Sequence, residues 1–195
     1  MKNTLKTAFL MLIAMTLITG IVYPLVVTGI SQLALRDKAN GSMLKVNSEL
    51  VGSTLIGQKF SSPRYFHGRP SNAGDGYDAL ASGASNLGPT NKQLIQAVYD
   101  RTQSVRAENG LESGAEVPAD IVTSSGSGLD PDISPDSAYL QVPRVAHERG
   151  MTVQSVRTLV DESIDGRQLG IFGEPRVNVL KLNLLLDKVP DVSRK

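Results

Sequence analysis

The chain has 195 residues, with 20 Lys and Arg against 19 Asp and Glu, for a formal net charge of +1. A balance this close to neutral supplies no field to gather nucleic acid. There is no Cys, which removes both a disulfide framework and a thiolate metal site.

Lys2 and Lys6 are the only charges before Arg36, so residues 36–195 hold 18 of the basic side chains and all 19 acids. Residues 8–30 are long and apolar enough for a transmembrane helix, which needs about 20 apolar residues. A short tail, 1–7, precedes it and a linker, 31–41, follows. A cleaved signal peptide would carry a shorter apolar core of about 7–15 residues and then a small-x-small site. Here the apolar character runs on through Ile21, Val22, Leu25, Val26, Val27 and Ile30, so the helix is read as retained. At spacing four one face reads Thr16, Gly20, Pro24, Thr28. Small residues at that spacing let another helix approach closely. Pro24 lacks the N–H that the Gly20 carbonyl would accept, so a kink or loosened turn is expected there. Lys2 and Lys6 flank one end, and Arg36, Lys38 and Lys45 the other, so the charge bias does not choose an orientation.

Residues 42–195 form one soluble domain by size. Short strands are expected at 43–46 and 53–56. Residues 61–90 lack periodicity, which suits a binding loop or a disordered segment. A helix follows, capped by Thr90 or Asn91, with Leu94, Ile95, Val98, Thr102 and Val105 on one face and Gly110 after its end. Residues 110–134 form a second irregular tract. Ser134-Pro135 opens the next helix, which holds Gln141 and carries Pro143 in its middle. Another starts at Thr152 and is expected to bury Val153, Val156, Leu159, Val160 and Ile164. The apolar run 175–186 reads as a strand leading into a short buried helix. The fold class is thus a single N-terminal transmembrane helix plus one α/β (α+β) soluble domain with few short strands and three or four helices.

Tests for chemistry return little. There is no G-x-x-x-x-G-K-[ST] loop, and Pro131 stands where a dinucleotide fingerprint beginning at Gly126-Ser127-Gly128 needs its third glycine. That tract is a connector or a contact loop. Residues 130–136 imitate a calcium loop, but Pro135 replaces the turn glycine and Gln141 the bidentate Glu. No catalytic residue and no metal ligand is assigned. A Ser-His arrangement of Ser125 or Ser127 with His67 or His147 is the alternative, which would make the chain a membrane-anchored extracytoplasmic hydrolase; a binding module is the other. The hexamer Tyr65-Phe66-His67-Gly68-Arg69-Pro70 is dense in recognition chemistry between turn residues and reads as a binding loop or a structural corner.

Several blocks together resemble the C subunit family of the bacterial Kdp potassium-transporting ATPase. They are Tyr65-Phe66-His67-Gly68-Arg69-Pro70-Ser71, Ala81-Ser82-Gly83-Ala84-Ser85-Asn86-Leu87-Gly88-Pro89, Ser125-Gly126-Ser127-Gly128-Leu129-Asp130-Pro131, Gln141-Val142-Pro143-Arg144-Val145-Ala146 and Gly173-Glu174-Pro175-Arg176-Val177-Asn178-Val179-Leu180. The resemblance implies a non-catalytic accessory subunit of a membrane complex for ATP-driven potassium uptake. Its partners would be a channel-like potassium-binding subunit, an ATP-hydrolysing P-type subunit and a small fourth subunit. It implies an inner-membrane, single-pass chain with residues 42–195 outside the cytoplasm. It also implies a role as a catalytic chaperone that raises ATP affinity, which would fall on Ser125, Gly126, Ser127, Gly128 and Gln141. ATP would be held by the partner subunit, in a ternary complex, and none by this chain alone; potassium is the transported ion. Thr16, Gly20, Pro24, Thr28, Phe66, His67 and Arg69 are the expected partner contacts.

Overall fold

The computed structural model describes residues 2–189; position 1 and positions 190–195 of the tail and domain expected above lie outside them. The chain divides into two compact units, one up to Val51 and one from Gly52 onward.

In the first unit, α1 (Lys2–Leu17), a π-helical turn (Ile18–Val22) and α2 (Tyr23–Ala34) form one continuous apolar rod of 33 residues, long enough to cross a bilayer. None of its residues is buried within the chain. The loosened turn expected near Pro24 is the π-turn: the Tyr23 N–H donates to the Ile18 carbonyl, five residues back. Widening the ladder just before the proline spreads the missing donor over a whole turn. The Thr19 hydroxyl donates to the Met15 carbonyl at 2.7 Å. A short α3 (Arg36–Ala39) leads into the hairpin of β1 (Met43–Val46) and β2 (Glu49–Ser53). Asn47 and Ser48 both take positive φ, 52° and 70°, as a two-residue turn between twisted strands requires. The second strand thus lies earlier than the expected 53–56.

The second unit holds α4 (Lys92–Glu108), α5 (Ala119–Val122), β3 (Asp132–Ile133), α6 (Pro135–Arg149), α7 (Val153–Glu162), β4 (Ile164–Asp165), β5 (Arg176–Asn178) and α8 (Val179–Lys188). Its antiparallel sheet has the order β3-β5-β4, with Ile133 and Ile164 each opposite Val177. The caps fall where the side chains allow them. Ser134 and Thr152 accept from the N–H groups of Ser137 and Ser155, each at 3.1 Å, and Asn91 accepts from Gln93 at 2.8 Å. Asn178 caps α8 through Lys181 while its amide N–H groups reach the Asp132 carboxylate and the Thr54 carbonyl, so one residue ties strand, helix and an upstream loop.

The core gathers Val142 and Val145 of α6, Val156 and Val160 of α7, Val177 of β5 and Leu182 and Leu186 of α8. At its centre sits Phe66, with no exposed surface, delivered by the irregular segment 61–90. That segment is therefore part of the framework. Two helical faces are drier in expectation than in the fold. Val153 is 52% exposed and Ile95 is 56% exposed, and α4 buries none of its residues. α7 meets the core along one side only, through Val156 and Val160, and α4 lies outside the core cluster.

Candidate functional site

The hexamer at 65–70 is held by side-chain amides acting as strands. The Phe66 N–H donates to Asn183 Oδ1 at 2.9 Å, and Asn183 Nδ2 donates to the Phe66 carbonyl at 2.9 Å. One residue on, the His67 N–H donates to Gln141 Oε1 at 2.8 Å, and Gln141 Nε2 donates to the His67 carbonyl at 3.1 Å. Arg144 locks the second clamp, giving one N–H to Gln141 Oε1 at 2.7 Å and others to the Pro63 and Tyr65 carbonyls and to Asn109 Oδ1. Burial pulls the Arg144 pKa down, with Glu108 and Glu148 acting against that. Its charge is dissipated over oxygen acceptors rather than a direct ion pair.

His67, Arg69 and Gln141 share a cleft of about 320 Å³ with Tyr77, Arg101 and Glu108. The His67 Nε2–H donates to the Ser62 carbonyl at 3.0 Å, and Nδ1 lies 3.6 Å from the Glu108 carboxylate. Burial is the largest influence on the imidazole and lowers its pKa, the Arg144 charge lowers it further, and Ser62 and Glu108 oppose both. Arg69 pairs with Asp130 at 2.9 Å and also reaches the Thr123 carbonyl, while its own carbonyl accepts from the Tyr77 hydroxyl. Burial, and then Asp130, raise the Tyr77 pKa.

Ser125, Gly126, Ser127 and Gly128 do not line that cleft; Ser71 links the two, giving a hydrogen bond to the Gly128 carbonyl and accepting one from the Tyr77 N–H. Their loop is braced against residues 71–83. Ser71 donates to the Gly128 carbonyl at 2.6 Å, and Gly83 N–H and the Ser82 hydroxyl both donate to the Ser127 carbonyl at 2.9 Å. Within the loop, the N–H groups of Gly128 and Leu129 are taken by the hydroxyls of Ser125 and Ser127. Gly128 has φ +68°, and a Cβ there would lie 2.6 Å from the Gly83 carbonyl oxygen. The segment is braced against residues 71–83 and is not a slack connector. Its serines do not meet a histidine: the ring of His147 is at the surface beside Glu148, and that of His67 faces Ser62 and Glu108. Among the described residues no group of three or more His, Asp or Glu side chains is placed to hold a metal.

Residues 5–188 match the family described as KdpC, K+-transporting ATPase, c chain. Relatives named potassium-transporting ATPase KdpC subunit are similar over nearly the whole length. One from Mycobacterium tuberculosis is 52% identical over 189 residues, covering 97% of this chain and all of the relative. One from Gemmatimonas aurantiaca is 53% identical over 194 residues, 99% of this chain and 96% of the relative. A third, from Koribacter versatilis, is 49% identical over 187 residues, or 96% and 95%. The chain belongs to the KdpC family.

For this KdpC chain the expected contact residues sort by surroundings. Thr16, Gly20, Pro24 and Thr28 are all exposed on the apolar rod, and a Cβ at Gly20 would meet nothing within 4 Å. His67 and Arg69 line the cleft, while the Phe66 ring is wholly inside the core. Asn183, Arg144 and Arg149 organise the loop and went unread in the sequence. Asn183 left one sign: a lone amide in the apolar run Leu182-Asn183-Leu184 must find partners when buried.

Proposed function

We propose that this chain is the non-catalytic accessory subunit of an ATP-driven potassium-uptake complex. Its helix is the assembly element, and its folded domain stands outside the cytoplasm beside the entrance of the potassium-conducting subunit. The observation that carries this reading is the rod 2–34, uncharged from Thr7 onward yet unburied, with open space at Gly20, in a chain that matches the KdpC family over residues 5–188. Partner helices would use the Thr16–Gly20–Pro24–Thr28 side, where small residues permit close approach.

An effect on ATP affinity is, on this reading, a coupling free energy transmitted through the partner subunits rather than direct contact. The internal hydrogen bonds of Ser125, Ser127 and Gln141 favour the indirect route, because a nucleotide would have to displace them.

Replacing Gly20 with Leu tests assembly. A Cβ at this position meets nothing within 4 Å, so loss of co-purification and of potassium-stimulated ATP hydrolysis would point to a partner helix; an intact complex refutes the packing role. The chain has no Cys, so Ser113→Cys gives a unique label site on the exposed 110–118 loop. Reaction with an impermeant maleimide on intact spheroplasts is expected, and protection until lysis would refute the orientation.

A further inference from the structure

The rod runs into the β1–β2 hairpin through a link that the chain holds short. The side-chain amides of Gln32 and Asn40 exchange hydrogen bonds at 3.3 and 3.4 Å, and Asn40 Nδ2 also donates to the Arg36 carbonyl at 2.8 Å. The Ser42 N–H donates to the Asp37 carbonyl at 2.8 Å. α3 is thereby fastened to the end of α2. Met43 follows Asn40 by three residues, a reach of at most about 11 Å.

That link fixes a depth. At 1.5 Å per residue, residues 8–30 extend about 34 Å, which fills a hydrocarbon layer of about 30 Å. Gln32 stands about 3 Å further on, within the headgroup layer of about 5–7 Å that bounds it. The hairpin therefore begins at headgroup depth. It is a sheet of two strands only, and from Met43 to Val51 every residue but Leu44 is exposed. Met43, Val46, Leu50 and Val51 are left 47%, 40%, 58% and 38% exposed. A two-stranded hairpin is marginal in water unless its apolar side chains pack on something. Among the described residues the chain itself covers none of these four.

We infer that the β1–β2 hairpin is an interfacial foot of the rod, lying in the headgroup layer with Met43, Val46, Leu50 and Val51 against lipid. This rests on one part of the function proposed above, the crossing of the bilayer by the rod, and holds for either orientation of the domain. The surface is continuous with the apolar rod, which names lipid as its occupant. The foot goes no deeper, because each strand has one unpaired edge whose N–H and carbonyl groups need water that hydrocarbon cannot supply. Charge adds little. Residues 36–51 carry Arg36, Lys38 and Lys45 against Asp37 and Glu49, three against two, for a net of +1. Each basic side chain near an anionic surface contributes only about 1 kcal/mol.

The chain has no Trp, so a single introduced tryptophan reports alone. Val46→Trp and Leu50→Trp are made in the full chain, with Leu17→Trp in the middle of the rod as the reference, and each is placed in phosphatidylcholine nanodiscs with brominated acyl chains. Positions 46 and 50 should be quenched best by bromine near the headgroup end of the chains, and position 17 by bromine near the bilayer centre. Quenching at 17 with none at 46 and 50 overturns the foot alone. No quenching at 17 sinks the membrane crossing on which it rests. Quenching at 46 and 50 that needs anionic lipid would assign the contact to charge and overturn the apolar account. In the assembled complex, a photo-crosslinking benzoylphenylalanine at position 50 should form lipid adducts. A crosslink to another subunit, or none to lipid, also overturns the proposal.

Discussion

The Asn183 side chain pairs with the Phe66 main chain as one strand residue pairs with another, giving and taking a hydrogen bond at 2.9 Å each across 117 residues of sequence. Gln141 does the same for the next residue. Two amides from two helices thus supply the ladder that an irregular segment cannot make for itself.

Asn183→Leu leaves a buried N–H and a buried carbonyl unpaired, so it should cost about 2–4 kcal/mol. Gln141→Leu should cost a similar amount. Because the two clamps hold consecutive residues, the double variant should lose less than the sum. Urea denaturation of the full chain in detergent, followed by fluorescence of its tyrosines, measures all three. Strict additivity would mean that the clamps act independently.

Gly128→Ala is expected to destabilise by about 2 kcal/mol or more, because a left-handed φ and a 2.6 Å approach to the Gly83 carbonyl leave a methyl group nowhere to go. Gly126→Ala, two residues away, meets nothing within 4 Å and should stay within about 0.5 kcal/mol of the parent. Comparable losses at both sites would show that the loop is not braced against residues 71–83.

The lowered pKa of His67 makes stability depend on pH. The unfolded chain takes up this proton near pH 6.5, and the folded chain only at lower pH. Between those points the unfolded state holds more protons, so stability is complete above about pH 6.5 and declines as the pH falls toward the folded value. His67→Gln should remove that part of the decline. Urea midpoints of parent and variant at about pH 7.5 and about pH 5.5 test this; an equal drop in both would assign the acid sensitivity elsewhere.

Arg149 is 3% exposed and gives hydrogen bonds to the Arg64 and Leu186 carbonyls and to Asp187, with its guanidinium 4.8 Å from the centre of the Tyr65 ring. Lys cannot reproduce that fork, so Arg149→Lys should cost about 2 kcal/mol despite keeping the charge. A near-neutral result by the same denaturation would show that charge alone matters at this position.

The sequence carried the parts of this fold that are local. Ser134-Pro135, Thr152 and Asn91 announce helix starts by their own chemistry, and the apolar periods behind them give α6, α7 and α4. The π-turn was foreshadowed by a single proline. What stayed hidden is long-range. β3 and β4 have two residues each, and only the register against Val177 makes them strands. The hexamer at 65–70 could be a recognition loop or a structural corner, because its decisive partners lie 74 and 117 residues downstream. The Gly-Ser loop looked slack for a similar reason: the residues that brace it, Ser71 and Gly83, belong to another irregular segment.

The wide turn at Ile18–Val22 has a consequence for the azimuth of the membrane rod. With 3.6 residues per revolution, positions four apart slip about 40° around the axis at every step. A turn bonded five residues back holds more residues per revolution and cancels that slip. Thr16, Gly20 and Pro24 therefore stand along one meridian, and everything after Tyr23 is rotated back relative to a straight rod. Removing one residue from this stretch would swing the two halves against each other by about 100° while leaving their length almost unchanged.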